Sequence, residues 1–145
     1  MADWRDPEVA RRILDEFHVW AVVGCSPDPY RASYGVSRTL MAHGYEMVPI
    51  YPRPTTVHGI PTLPDLAAAA AARPAGSPIE VVDIFRASHR AGAHVDDAIQ
   101  IGAKAVWMQL GVWDEAAAER AAAAGLVVVM DRCPAIDIPS LKRGA

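Results

Sequence analysis

At 145 residues the chain has the common size of one domain, and 52% hydrophobic against 21% charged residues excludes an intrinsically disordered polymer. Fourteen Lys plus Arg face seventeen Asp plus Glu for a formal charge of -3 with no basic run, so nucleic acid is not an expected partner. Every apolar stretch is broken by charge, Gly or Pro before the roughly eighteen residues of a membrane span, and the start MADWRDPEVARR lacks a signal peptide's apolar core, so a cytoplasmic location and no membrane partner are expected.

Asp6-Pro7 followed by Glu8, Val9, Ile13, Leu14 and Phe17 predicts a helix with Asp6 as its N-cap. Val19 to Val23 is a continuous apolar run stopped by Gly24, the pattern of a strand buried on both faces. Cys25 to Ser33 has loop composition, and Val36, Leu40 and Met41 then resume helical spacing up to His43-Gly44. Glu46 to Tyr51 reads as a second strand, the Pro-rich segment from Pro52 to Pro64 excludes regular helix, and a helix follows from Asp65 to about Ala72. Ile79 to Phe85 is the third strand, and Ser88 is the expected cap of a helix that Gly102 ends. Ala103 to Leu110 is the fourth strand, Asp114 caps an alanine-rich helix ended by Gly125, and Leu126 to Met130 is the fifth. A loose tail is expected over about residues 138–145.

Strands alternating with helices, through connections too long for hairpins, predict a Rossmann-like three-layer αβα domain with a mainly parallel five-stranded sheet. Ligands of such sheets bind outside the carboxyl ends of the strands, where strand order reverses. Here those ends carry Gly24-Cys25-Ser26, Tyr51-Pro52-Arg53, Phe85-Arg86, Gln109-Leu110-Gly111 and Asp131-Arg132-Cys133. The dinucleotide fingerprint is absent, since no glycine follows Gly24 until Gly35. The helix start at Ser33-Tyr34-Gly35-Val36 nevertheless offers free N–H groups, with Ser26, Ser33 and Arg31 available to an anion such as a diphosphate. Ser33 as a plain cap and Gly35 as a packing glycine are compatible readings. Arg53 stands where an NAD site wants a carboxylate, which favours a phosphorylated ribose: NADP and coenzyme A both carry one.

With Ser33-Tyr34-Gly35-Val36, Pro49-Ile50-Tyr51-Pro52, Val82-Asp83-Ile84-Phe85-Arg86, the run from Gly102 to Gly111 and Met130 to Cys133, the chain resembles stand-alone CoA-binding domain proteins over about residues 7 to 137. These are similar to the N-terminal CoA-binding domain of the succinyl-CoA synthetase alpha subunit. The resemblance implies that the nucleotide end of CoA lies across the first loop and the end of the second strand. Gly24, Cys25, Ser26 and Arg31 would then approach phosphates, and Tyr51, Pro52 and Arg53 would flank the adenosine. Phe85 and Arg86 are placed to guide the pantetheine arm or hold a phosphate. The synthetase's phosphorylated histidine and ligase chemistry lie in a following domain and a partner subunit, so ligase activity is not implied.

Five histidines show no metal-ligand spacing, the two cysteines Cys25 and Cys133 fit neither a disulfide framework nor a zinc site, and no G-x-S-x-G or Walker A sequence occurs. Cys25, at a strand end near a helix start, is the one nucleophile of interest. The leading expectation is a binding or regulatory module for CoA or an acyl-CoA, with no catalysis demonstrated by the sequence. An NADP-dependent reductase and CoA-thiol exchange through Cys25 are the alternatives. A homo-oligomer or a protein partner is left open, with Trp4 and Trp113 as contact candidates.

Overall fold

The computed structural model describes residues 2–141. Its central sheet holds β1 (Val19–Val23), β2 (Glu46–Ile50), β5 (Val81–Ile84), β6 (Ala105–Met108) and β7 (Val127–Val129), all parallel, in the order β2-β1-β5-β6-β7. The fold class is therefore the predicted one. Strand β1 is buried at every position, as its unbroken apolar run requires. The other strands are shorter than the spans expected from the sequence, because pairing extends only as far as a neighbour does.

Successive side chains alternate between two cores. Ala21, Val23, Val82, Ile84, Val106 and Met108 face one core, where α3 (Leu66–Ala71), α4 (Ser88–Gln100) and α5 (Glu115–Ala123) pack. Trp20, Val22, Val81, Ala105, Trp107 and Val129 face the other, covered by α1 (Pro7–Glu16), α2 (Ala32–Ala42) and α6 (Pro134–Leu141). The alanine-rich helices bury their small faces completely, with Ala91, Val95 and Ala98 of α4 against Ala117, Ala118 and Ala121 of α5. Among the described residues no helix is long and apolar enough to cross a membrane.

The caps at Asp6, Asp65 and Asp114 form as expected, each carboxylate accepting a backbone N–H of its helix's first turn. Ser88 does not cap α4. Ala87 occupies that position, and the Ser88 hydroxyl instead donates to Gly111 O at 3.3 Å and accepts the Trp113 N–H at 2.9 Å. The Pro-rich segment contains a small hairpin, β3 (Thr56–Val57) and β4 (Ile60–Pro61), turned by His58 and Gly59 with φ of 53° and 79°.

The expected loose tail is overturned for residues 138–141, which continue α6, with Ile138 buried against α1 and α2. The reason is local and charged: Asp137, 3% exposed, receives Arg132 Nε at 2.7 Å and Nη2 at 2.9 Å, which ties α6 to the end of β7. Residues 142–145 of that expectation lie outside the described residues. Trp4 and Trp113 pack against the core, and the Arg5 guanidinium lies 4.3 Å from the Trp113 ring centroid.

Candidate functional site

The chain leaves β1 for β2 on one side and reaches β5 on the other, so strand order reverses between β1 and β5. The two strand ends meet closely there. Gly24 has φ of +79°, and a Cβ on it would lie 2.6 Å from Phe85 O and 3.4 Å from Arg86 Nε. Only glycine fits this turn, for its φ and for its lack of a side chain.

The loop after Gly24 is braced from within. The Ser26 N–H donates to Ser33 Oγ at 3.0 Å, the Asp28 N–H to Ser26 Oγ at 3.0 Å, and the Arg31 N–H to Asp28 O at 3.0 Å. Ser33 is thus not the helix cap. Helix α2 begins at Ala32, Arg31 holds the cap position without a side-chain cap bond, and the Ser33 hydroxyl pins the loop.

Beside these strand ends lies a cleft of about 500 Å³. Gly24, Ser26, Arg31 and Ser33 form one wall, Tyr51 stands at the β2 end, and Phe85 and Arg86 reach it from β5. Arginine supplies its charge, and no carboxylate is among the lining residues, so the cleft carries a positive potential. The N-terminus of the eleven-residue α2 opens into the same space through Ala32 and Ser33.

The other sequence-predicted residues stand off the cleft wall. Arg53 reaches it through Tyr51: its Nη2 donates to the Tyr51 hydroxyl at 3.0 Å, and that bond holds the phenol's pKa below its ordinary value. Pro52 and Arg53 are exposed just beyond Tyr51. Tyr34 turns away to the hairpin, its ring centroid 4.3 Å from that of His58, whose Nε2 is 3.1 Å from Ser37 Oγ. Gly35 lies inside α2, where an added Cβ would meet nothing within 4 Å.

Cys25 is fully buried in the core under α2, not in the cleft. Burial pushes its thiol up to about 11, with Asp83 adding to the rise and a hydrogen bond with Ser37 opposing it. This is the reverse of an activated thiolate. Asp83, on β5, is also wholly buried; neither carboxylate oxygen has a partner, and desolvation raises its pKa well above the ordinary value.

The fourth wall, Gln109 to Val112, follows β6 at a strand end that the sequence points to without giving it a binding role. The available signal is a polar Gln closing the apolar run Ala105 to Met108, followed by Leu-Gly. This wall is held from behind by Asp131, whose Oδ1 accepts the Gly111 N–H at 2.7 Å and whose Oδ2 accepts Arg5 Nε at 2.9 Å. Those bonds, the Gly111 N–H first, hold the Asp131 carboxyl below its ordinary pKa, and the residue adopts a φ of 57° to make them. Among the described residues, no group of three or more His, Cys, Asp or Glu could hold a metal ion.

Fold and cleft together define a Rossmann-like domain with a positively charged crevice at its switch point. The chain belongs to the CoA binding domain family, whose model matches residues 18–139. It is 29% identical over 123 residues to the uncharacterized protein YneT of Bacillus subtilis, a match that spans 85% of this chain and 87% of YneT. The solved structure of a hypothetical protein from Pyrococcus horikoshii superposes with a TM-score of 0.83 at 33% identity, covering 97% of this chain and 99% of that one. A dinucleotide-forming acetyl-coenzyme A synthetase from Ca. Korarchaeum cryptofilum shares the fold over 80% of this chain and 26% of its own, with a TM-score of 0.65 and 22% identity.

Proposed function

We propose that this protein binds coenzyme A, free or acylated, in the cleft at the carboxyl ends of β1, β2 and β5, and acts as a binding or regulatory module. The observation that carries this reading is the meeting of the α2 N-terminus, Arg31 and Gly24 on one carboxylate-free wall, in a chain of the CoA binding domain family. The diphosphate lies over the start of α2 beside Arg31. Tyr51 and Arg53 flank the adenosine, where Arg53 supplies a cation for the ribose phosphate. The arm then runs past Phe85 and Arg86 toward β6. The two free cysteines, both buried, suit a reducing cytoplasmic setting.

Nothing about Cys25 favours thiol exchange, since its sulfur is out of reach and protonated. Arg53 in place of a carboxylate is equally suited to NADP, so the ligand series must separate the two. Thermal unfolding with CoA, acetyl-CoA, dephospho-CoA, NADP and NAD at equal concentration does so. At a hundred times its dissociation constant a ligand adds about 2.7 kcal/mol, a shift of roughly 5–10 °C at this size. A shift with CoA and a smaller one with dephospho-CoA is expected; a shift with NADP alone would overturn the proposal in favour of a reductase.

A further inference from the structure

Two polar atoms of cleft-lining residues are buried without partners: Gln109 Oε1, just after β6, and Arg86 Nε, just after β5 and 3.4 Å from the Cβ position of Gly24. Gln109 is 5% exposed, yet it lines the cleft. Its backbone is pinned on both sides, its N–H donating to Ile84 O at 3.3 Å and its C=O accepting the Val112 N–H at 2.9 Å. The Asp131 bond to Gly111 fixes the next turn. An unpaired acceptor and an unpaired donor on the lining of one cleft cost free energy until a ligand satisfies them.

We infer that Gln109, together with Arg86, recognises an amide of the ligand's arm, which makes the β6 end of the cleft a pantetheine-specificity site; this rests on the CoA reading above. The chemistry follows from the pair. Phosphate and carboxylate oxygens satisfy Arg86 but leave the Gln109 oxygen facing another acceptor. A secondary amide satisfies both, its N–H donating to Gln109 Oε1 and its C=O accepting from Arg86 Nε. The surrounding wall is apolar, with Phe85, Val112 and the half-exposed Leu110 at 53%, and suits the methylene stretches between amides. An arm that alternates methylenes with secondary amides is pantetheine.

The experiment is calorimetric titration of the wild type and Gln109→Leu with CoA, with adenosine 3′,5′-bisphosphate, which has no arm, and with NADP, whose carboxamide is the other source of an amide. A second readout is the ¹⁵N signal of the Gln109 side-chain amide, which needs no variant to fold. Gln109→Leu is expected to weaken CoA about tenfold and leave the bisphosphate unchanged, and the Gln109 signal is expected to move with CoA and not with the bisphosphate. Equal losses for both ligands, or a Gln109 signal indifferent to CoA, would overturn the inference while leaving CoA binding intact. A Gln109 signal that responds to NADP and not to CoA would overturn it as well. A wild type that binds neither CoA nor the bisphosphate would instead remove the CoA reading itself.

Discussion

Replacing Gly24 by Ala tests the geometry on which the cleft depends. Two costs add. Alanine at a φ of +79° sits in the left-handed region, at roughly 1–2 kcal/mol. Its Cβ also meets Phe85 O at 2.6 Å, and because the obstacle is backbone, β1 and β5 must separate, an overpacking cost of about 1–3 kcal/mol. Gly44→Ala isolates the first cost, since Gly44 has a φ of +87° and nothing within 4 Å of its Cβ position. Thermal unfolding by circular dichroism should therefore place Gly24→Ala below Gly44→Ala, with total losses of about 2–5 and 1–2 kcal/mol. At roughly 2–4 °C per kcal/mol the gap is several degrees. Calorimetry should show weaker CoA binding for Gly24→Ala alone, as Phe85 and Arg86 are displaced. Equal melting temperatures for the two variants would refute the close approach of the strand ends.

Further outcomes follow from the same geometry. Arg31→Ala and Arg53→Ala should each weaken CoA by a charge-assisted bond of about 1.5–3 kcal/mol without lowering the melting temperature, and Arg53→Ala should leave dephospho-CoA untouched; unchanged CoA affinity in both places the nucleotide elsewhere. Asp83 holds a proton in the fold that the unfolded chain releases near pH 4, so its contribution is intact below that pH and is lost as pH rises toward the folded value, at up to about 1.4 kcal/mol per pH unit. Denaturant titrations should accordingly show Asp83→Asn gaining stability relative to the wild type as pH rises above about 4, and parallel pH profiles would contradict a neutral buried carboxyl. Cys25, with its thiol pushed up to about 11 and no exposure, should resist alkylation at about pH 7.5 until the protein is denatured; prompt labelling of the native protein would refute its burial.

The local signals were legible wherever a residue acts within its own turn. Asp6, Asp65 and Asp114 cap helices because each carboxylate needs only the N–H groups two or three residues ahead. Serine misled at Ser33 and Ser88 for the opposite reason. Their hydroxyls serve partners seven and more than twenty residues away, Ser26 in one case and Gly111 with Trp113 in the other, which no local pattern announces. Cys25 and Gly24 are neighbours at one strand end, yet one turns into the core and the other abuts Phe85.

The apolar runs and their glycine and aspartate stops by themselves determined the five parallel strands, the helices between them and the end of the sheet where the cleft lies, because burial on two faces demands unbroken apolar sequence. Tertiary structure decided what the strand ends do. Assembling the sheet brought Gln109 and Arg86 to one cleft and left both short of partners, buried Asp83 and Cys25, and drew the last turn of α6 onto the core through Arg132 and Asp137. Apart from the Arg132–Asp137 pair, which is five residues apart, each of these depends on residues far apart in the chain, whose distances only the packing of strand against strand and helix against sheet sets.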